Sequence, residues 1–590
     1  MGGDAAGHCA ALAGDASGVK QDSVSAGFLA RCIDQALARE KADLVIKDTR
    51  FLNLVTGELV EGDIAVCGDR IVGTYESYRG TREIDGRGKI AVPGFIDTHV
   101  HCESTLVTPA EFDRCVLPRG TTTAVCDPHE IANVMGVAGL RYFVESAEAT
   151  AIDLRVNLSS CVPSSALETS GAELLAGDLL PFLGHGKVLG LAEFMNFPGV
   201  FAKRPDVLEK LAAFSAEHVD GHAPLVSGRS LNAYLACNIR TCHETTNLDE
   251  AWEKLRKGMA VLIRDGSVAK DAKTLAPCVT PRNSVLTAFC TDDRNPLDIF
   301  EEGHLDHIVR TAIGQGVAVL DAYRAASYSA AQIFGFRDRG LIAPGRRADF
   351  VLLDDLESCA VSSVFSAGRL VEEIDFGAMR GPAPIGLDSM KIAEVNAVDF
   401  VTPASGPTGP VIGIMPGKIV TEFLTLTLPY KNGIREPDAH QDVLKLAVIA
   451  RHGKNRNIGK AFVKGFGFTN GALASSVGHD SHNICVAGAD DESMALAARR
   501  LIALGGGFVA VQGGTVIAEL ALPIAGLFSP SPFAAVREKL LTLRRAVRAM
   551  GCALAEPFIQ LAFLPLPVIP HLKLTDMGLV DVDRFELIKA

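Results

Sequence analysis

The chain has 590 residues, 48% of them apolar and 22% charged, with a formal net charge of −13. That length exceeds one core and implies two to four domains, in a composition ordinary for a globular protein in water. The acidic balance argues against a nucleic-acid partner, and the most apolar late segment, Ile559 to Pro570, is too short and proline-broken to cross a membrane.

The 14 cysteines are scattered with no CxxC pair, as expected of thiols in a reducing, cytoplasmic setting. Residues 1–27, rich in Ala, Gly, Ser and Asp, lack the basic and apolar regions of a signal peptide and are expected to be a disordered tail. Helical periodicity follows from Phe28 to about Lys41. Short β-type runs come next at 42–46, 51–55, 62–66 and 70–73, punctuated by Gly, Asp and Asn. With the later runs 345–353 and 361–371 they predict a discontinuous β-sandwich domain, residues 28–93 plus 341–380.

From Gly94 the pattern changes. Pro93-Gly94 marks a turn into Phe95–His101, and apolar runs then alternate with helix-length segments. The runs are 121–126, 154–158, 188–192, 224–226, 240–242, 260–263 and 284–290, with helices at 204–217, 248–257 and 326–334. Eight β/α repeats predict a (β/α)8 TIM-type barrel over residues 94–340, with a doubly wound open sheet as the alternative. Residues 381–590 form a third, α+β unit, with strands near 411–415 and 418–428, a helix at 492–504, and a hairpin turn at Gln512-Gly513-Gly514-Thr515.

His99 and His101, at i and i+2 on a strand, point to one face and can share a metal ion. Catalytic groups of a barrel sit at the C-terminal strand ends. Those ends carry Glu193 after the fourth run, His222 near the fifth, His243 and Glu244 after the sixth, and Asp292 after the eighth. Four imidazoles and two carboxylates suit two divalent metal ions. Of the remaining histidines, His218 reads as a surface residue at a helix end, and His304 and His307 as a solvated helix face. His129 either lines the pocket or belongs to an accessory metal site. The segment His479-Asp480-Ser481-His482-Asn483 is either a polar turn or a contribution of the C-terminal unit to the barrel mouth. No phosphate loop, nucleophile elbow or GxGxxG spacing occurs, so no nucleotide cofactor is expected.

PGFIDTHVH at 93–101, the fourth-strand carboxylate, His222, His243, Asp292 and the late stretch APGRRADFVLL resemble the amidohydrolase superfamily. RGTTTAVCDPHEIANV (119–134), SSCVPSS (159–165), LAEFMNFPGV (191–200), DGHAP (220–224) and VGHDSHNICVAG (477–488) are similar to the bacterial adenine deaminases. The resemblance runs from about residue 40 to the C-terminus. It implies hydrolysis of adenine to hypoxanthine and ammonia in purine salvage, by attack of a metal-bound hydroxide on C6. It also implies two metal ions (Mn2+ or Fe2+, with Zn2+ acceptable) on His99, His101, Glu193, His222, His243 and Asp292, and a homo-oligomer.

Ring-opening relatives bridge their metals with a carboxylated Lys at the fourth strand, where this chain has Glu193; its Lys187 lies at the strand's start. A cytidine-deaminase reading fails because His101-Cys102-Glu103 has no PCxxC partner. Asp292 is the expected proton acceptor, and His243 is counted with the catalytic groups. The HxxE that many relatives carry after strand 5 is missing, since Ala223-Pro224-Leu225 follows His222. Protonation of purine N1 is therefore expected of Glu193 or, second, Glu244, with His129, Asp480 and His482 as candidate pocket residues. The rivals are a deaminase or amidase for another heterocycle, and a barrel without activity used as a scaffold.

Overall fold

In the computed structural model, which describes residues 25–392 and 394–588, the first helix runs Ala26–Ala36. It begins inside the expected tail because Ser25 caps it, accepting a hydrogen bond from the Phe28 amide. The rest of that tail, residues 1–24, lies outside the described residues.

The N-terminal strands form one hydrogen-bonded sheet ordered Arg369–Leu370, Val361–Ser366, Phe350–Leu353, Ile90–Pro93, Ala42–Leu52, Leu59–Cys67 and Arg70–Thr74, with Gly80–Asp85 alongside Ala42–Leu52. Segments more than 250 residues apart thus pair directly, Phe350 opposite Pro93. The runs read as two strands at 42–46 and 51–55 are a single strand, Ala42–Leu52, irregular between Ile46 and Thr49. Its first half pairs with Gly80–Asp85 and its second with Ile90 and Ala91. Alternate side chains feed two apolar clusters: Ile46, Ile64, Phe350 and Phe365 in one, and Val45, Ala65 and Val72 in the other, against Phe28 and Cys32 of the helix.

Pro93-Gly94 makes a one-residue break rather than a turn, so Ile90–Pro93 hands over to Phe95–Val100 almost in line. A Cβ on Gly94 would come 2.2 Å from Thr122 Oγ1, so this close approach requires glycine. Eight parallel strands follow: β1 Phe95–Val100, β2 Thr121–Cys126, β3 Asp153–Leu158, β4 Val188–Phe194, β5 His218–Gly221, β6 Thr241–Cys242, β7 Ala260–Arg264 and β8 Thr287–Cys290. Every residue of β1 and β2 is buried, as in strands covered on both faces.

Two expected strands move. The fifth is His218–Gly221 and not 224–226, where the chain turns through Leu225 at φ 60°. The eighth begins at Thr287 because Ser284–Leu286 is a 3-10 turn. Strands β1–β5 form one parallel sheet and β6–β8 another. Backbone hydrogen bonds cross both seams: Arg240 N to Val219 O (3.2 Å), and Asp292 N to His99 O (3.0 Å) with His101 N to Asp292 O (3.2 Å). The parallel sheet is therefore strongly curled.

The C-terminal part holds an eight-stranded sheet, ordered Thr421–Thr427, Thr408–Ile414, Ile458–Lys464, Val443–Ile449, Ile484–Gly488, Ala472–Ser475, Gly507–Gln512 and Thr515–Ala521. The Gln512–Thr515 hairpin stands as expected. This part packs on the helices and loops around the parallel strands, through Phe528 against Phe143 of the helix Val137–Glu148 (ring centroids 6.0 Å apart), and through Asp576, which accepts from the Thr169 amide (2.8 Å) and hydroxyl (2.7 Å).

Opposite the strand ends that matter for chemistry, buried Arg339 donates to Asp153 Oδ2 (2.5 Å) and Thr123 Oγ1 (2.8 Å), fastening β2 and β3 to the returning chain. Burial raises the Asp153 pKa, but Arg339, Arg155 and Lys187 hold it well below the ordinary carboxylate range. Removing one partner of a buried pair costs about 3–5 kcal/mol. Arg339→Met is expected at the lower end, since Arg155 and Lys187 still face Asp153. A thermal unfolding midpoint equal to wild type would refute this.

Candidate metal centre

The site grows from β1. His99 Nδ1 lies 3.0 Å from Asp220 Oδ2, and His101 Nδ1 donates to the Asp127 carbonyl at 3.0 Å. Both rings thereby turn their Nε2 lone pairs inward, 3.1 Å apart. Two facing lone pairs repel unless a cation lies near them, and an outward Nδ1 partner is the usual support of a metal-ligating histidine. Asp220 is itself fixed by the Gly221 amide (2.8 Å) and the Thr241 hydroxyl.

Just past β8, Asp292 adopts φ 56°, a left-handed conformation that Asp tolerates better than most residues. Oδ1 then lies 3.2 Å from His101 Nε2 and 3.8 Å from His99 Nε2, while Oδ2 accepts from Arg264 Nη1 at 2.8 Å. Glu193, near the end of β4, occupies the middle. Its Oε1 is 3.4 Å from His101 Nε2 and 3.3 Å from His129 Nδ1. Its Oε2 is 3.2 Å from His243 Nε2 and touches His222 Nδ1. His99 and His243 stack with ring centroids 3.8 Å apart.

Donor atoms of His99, His101 and Asp292, and again of His99, Glu193 and His243, lie within 4.8 Å of one another. This all-N/O set fits divalent metal ions. Burial by itself would lower the His99 pKa; the Asp220 hydrogen bond and the Glu193 charge raise it to about 9. For Glu193 burial pushes up, but the His222 and His243 charges hold the carboxyl well below its ordinary value. Asp292 is likewise raised by burial and held well below by His101 and Arg264.

Arg264, Asp220 and Asp127 are the groups that sequence reasoning missed. Arg264 is fully buried at the end of β7, contacting Glu244 and Asp292 and donating from Nε to Asp271 Oδ2 at 3.0 Å. Its signal was a charge closing the apolar run 260–263. Glu244 is thus engaged by Arg264, and its carboxyl, raised by burial, is held below its ordinary range by that charge.

Three surface assignments are corrected. His218 is the first residue of β5, half-buried, its ring tilted against Phe334 with centroids 4.3 Å apart. His304 is fully buried, its Nδ1 2.9 Å from Thr121 Oγ1. His307 is half-buried against Asp265 at 3.0 Å. Each lies at an element end that a neighbouring element covers, which periodicity along one element cannot register.

His129 starts the helix His129–Met135 and faces the site, and the segment 479–483 is buried throughout. Arg451 donates to the His482 carbonyl, and Asn483 Nδ2 to the Thr169 carbonyl at 2.9 Å, pressing the segment onto the strand mouth. Asp480 Oδ1 comes 3.7 Å from His129 Nε2, and His482 Nε2 touches Glu130. The resulting cavity has a wall of ionisable groups and an apolar roof of Ile419, Phe563, Leu566 and Ile569 from the C-terminal part.

Residues 90–371 match the amidohydrolase family profile and residues 418–586 that of the adenine deaminase C-terminal domain. The chain is 62% identical over 562 residues to an adenine deaminase of Methylobacterium nodulans, covering 95% of this chain and 99% of that one. It is 58% identical over 571 residues to adenine deaminase 1 of Agrobacterium fabrum (97% and 99% covered), and 60% identical over 553 residues to an adenine deaminase of Gluconobacter oxydans (94% and 98%).

A metal held by Glu193 and His99 should be lost with them. Glu193→Gln and His99→Ala are each expected to hold at least one ion fewer per chain than wild type by elemental analysis. Full metal content in both would remove them from the centre.

Proposed function

Because the chain belongs to the adenine deaminase family within the amidohydrolases, we propose that it hydrolyses adenine to hypoxanthine and ammonia. Water adds to C6, the C6–N6 bond breaks, and a proton reaches the departing amine. The observation that carries this reading is the single cavity in which the cluster around Glu193 meets an apolar roof suited to a flat base.

We assign two divalent ions to His99, His101, Glu193, His222, His243 and Asp292. With N/O donors and no thiolate, Mn2+ or Fe2+ fits, and Zn2+ is acceptable. When bound, such ions lower the pKa of water and so provide a nucleophile at neutral pH. Asp292 takes the proton from water and passes it to N6. Its ionised carboxylate is available because Arg264, 2.8 Å from Oδ2, favours the charged form. Glu193 would be a metal ligand here, since both its oxygens already face imidazoles. The roof of Phe563, Leu566 and Ile569 keeps bulk water from the ring.

The two parallel sheets are read as arcs of one (β/α)8 barrel, supported by the hydrogen bonds across both seams. The sheet around 42–93 and 350–370 is a discontinuous domain, and residues 381–590 form the cap.

Purified protein with its metals is expected to release ammonia from adenine in step with hypoxanthine. Asp292→Asn should lower kcat by at least about a hundredfold, the lower range for losing a positioned acid–base group. Metal-loaded protein that leaves adenine untouched refutes the substrate, and near-normal turnover by Asp292→Asn refutes the role.

A further inference from the structure

Beside the cluster around Glu193 lies a second convergence that the deamination chemistry does not use. His129 and Glu130 begin the helix after β2, and His479 and Asp480 come from the C-terminal part; all four line the cavity. Glu130 Oε1 lies 2.7 Å from His479 Nδ1 and 3.4 Å from His129 Nε2. Asp480 Oδ1 lies 3.7 Å from His129 Nε2 and 3.9 Å from His479 Nδ1. Donor atoms of His129, Glu130 and Asp480 are all within 4.8 Å of one another.

These groups are deeply buried: Glu130 is 1% exposed, Asp480 2%, His129 3% and His479 5%. Yet both Glu130 oxygens, His129 Nε2 and Asp480 Oδ2 lack any hydrogen bond of proper geometry. Three imidazoles, of His129, His479 and His482, crowd Glu130 without well-directed hydrogen bonds, and native interiors rarely leave buried polar atoms so poorly directed.

The histidine tautomers sharpen the point. His129 Nδ1 is 2.9 Å from Asp127 Oδ2, so it carries the proton and leaves the Nε2 lone pair aimed at two carboxylates. Lone pair against carboxylate is repulsive unless a metal ion or a second proton on the ring lies between them, and the Asp127, Glu130 and Asp480 charges favour either cation. His482 has the opposite arrangement: its Nδ1 accepts from the Gly478 amide at 3.2 Å, and its Nε2 approaches Glu130 Oε2 from behind, without the geometry of a hydrogen bond.

We propose that this chain holds a third divalent transition-metal ion, on His129, Glu130, His479 and Asp480, with His482 positioning Glu130. Two carboxylates balance the charge of one such ion, and two imidazoles with two carboxylates form an N/O set for Mn2+, Fe2+ or Zn2+. The ion clasps the C-terminal segment 479–480 to the loop after β2, across the boundary that closes the cavity. This assignment is independent of the identity of the substrate.

The test is a metal count on the full-length protein, stripped by chelator, reloaded with Mn2+ alone, desalted and measured by elemental analysis. Three ions per chain are expected for wild type, and two for the near-isosteric Asp480→Asn and for His479→Gln. His99→Ala, which acts on the other centre, should still hold the ion that Asp480→Asn loses. Saturation of wild type at two ions, with both variants also at two, overturns the proposal. So does a third ion that both variants keep. Two ions in wild type and one in Asp480→Asn would support a metal here while refuting the paired centre, so the two assignments fail separately.

Discussion

The Glu193 carboxylate governs this structure. It is almost fully buried, and an unpaired ionised carboxylate in such a place would cost far more than a fold of marginal stability can absorb. The surrounding chain answers with imidazoles on both sides: His101 and His129 near Oε1, His222 and His243 near Oε2. Those imidazoles come from four different points in the sequence. Parallel strands running the same way deliver their ends to one mouth, and so put them within reach of a single carboxylate.

A second layer sets how that cluster behaves. Asp220 and the Asp127 carbonyl hold the outward nitrogens of His99 and His101, which fixes where their lone pairs point. Arg264 spans Glu244, Asp271 and Asp292, keeping three carboxylates ionised or ordered in a dry place. Substitutions in this layer would alter the basicity and orientation of the inner imidazoles and carboxylates. The apolar roof contributes by exclusion, because electrostatic interactions strengthen as water leaves. The C-terminal part therefore belongs to the site physically, through Phe563, Leu566, His479 and Asp480 on the cavity wall.

Much of this was legible along the chain. Local apolar runs and the punctuation of Gly and Pro marked seven of the eight parallel strands within a few residues, and the motifs around His99, His222 and His243 marked the mouth. The fifth strand was misplaced because Leu225-Val226 is apolar, while His218–Gly221 has Val219 as its one apolar β-former among His, Asp and Gly. Neighbouring strands, not propensity, make that segment a strand.

By itself the sequence determined the family, the alternation of strand and helix, and which side chains stand at strand ends, because each of these rests on local spacing. Only the tertiary structure decided that His304 is buried and His218 half-buried, and that Arg264 faces Asp292. It alone decided that residues 479–483 press against a helix some 350 residues earlier in the chain. Such contacts depend on which surfaces the packed elements bring together, and no periodicity within one element encodes its partner.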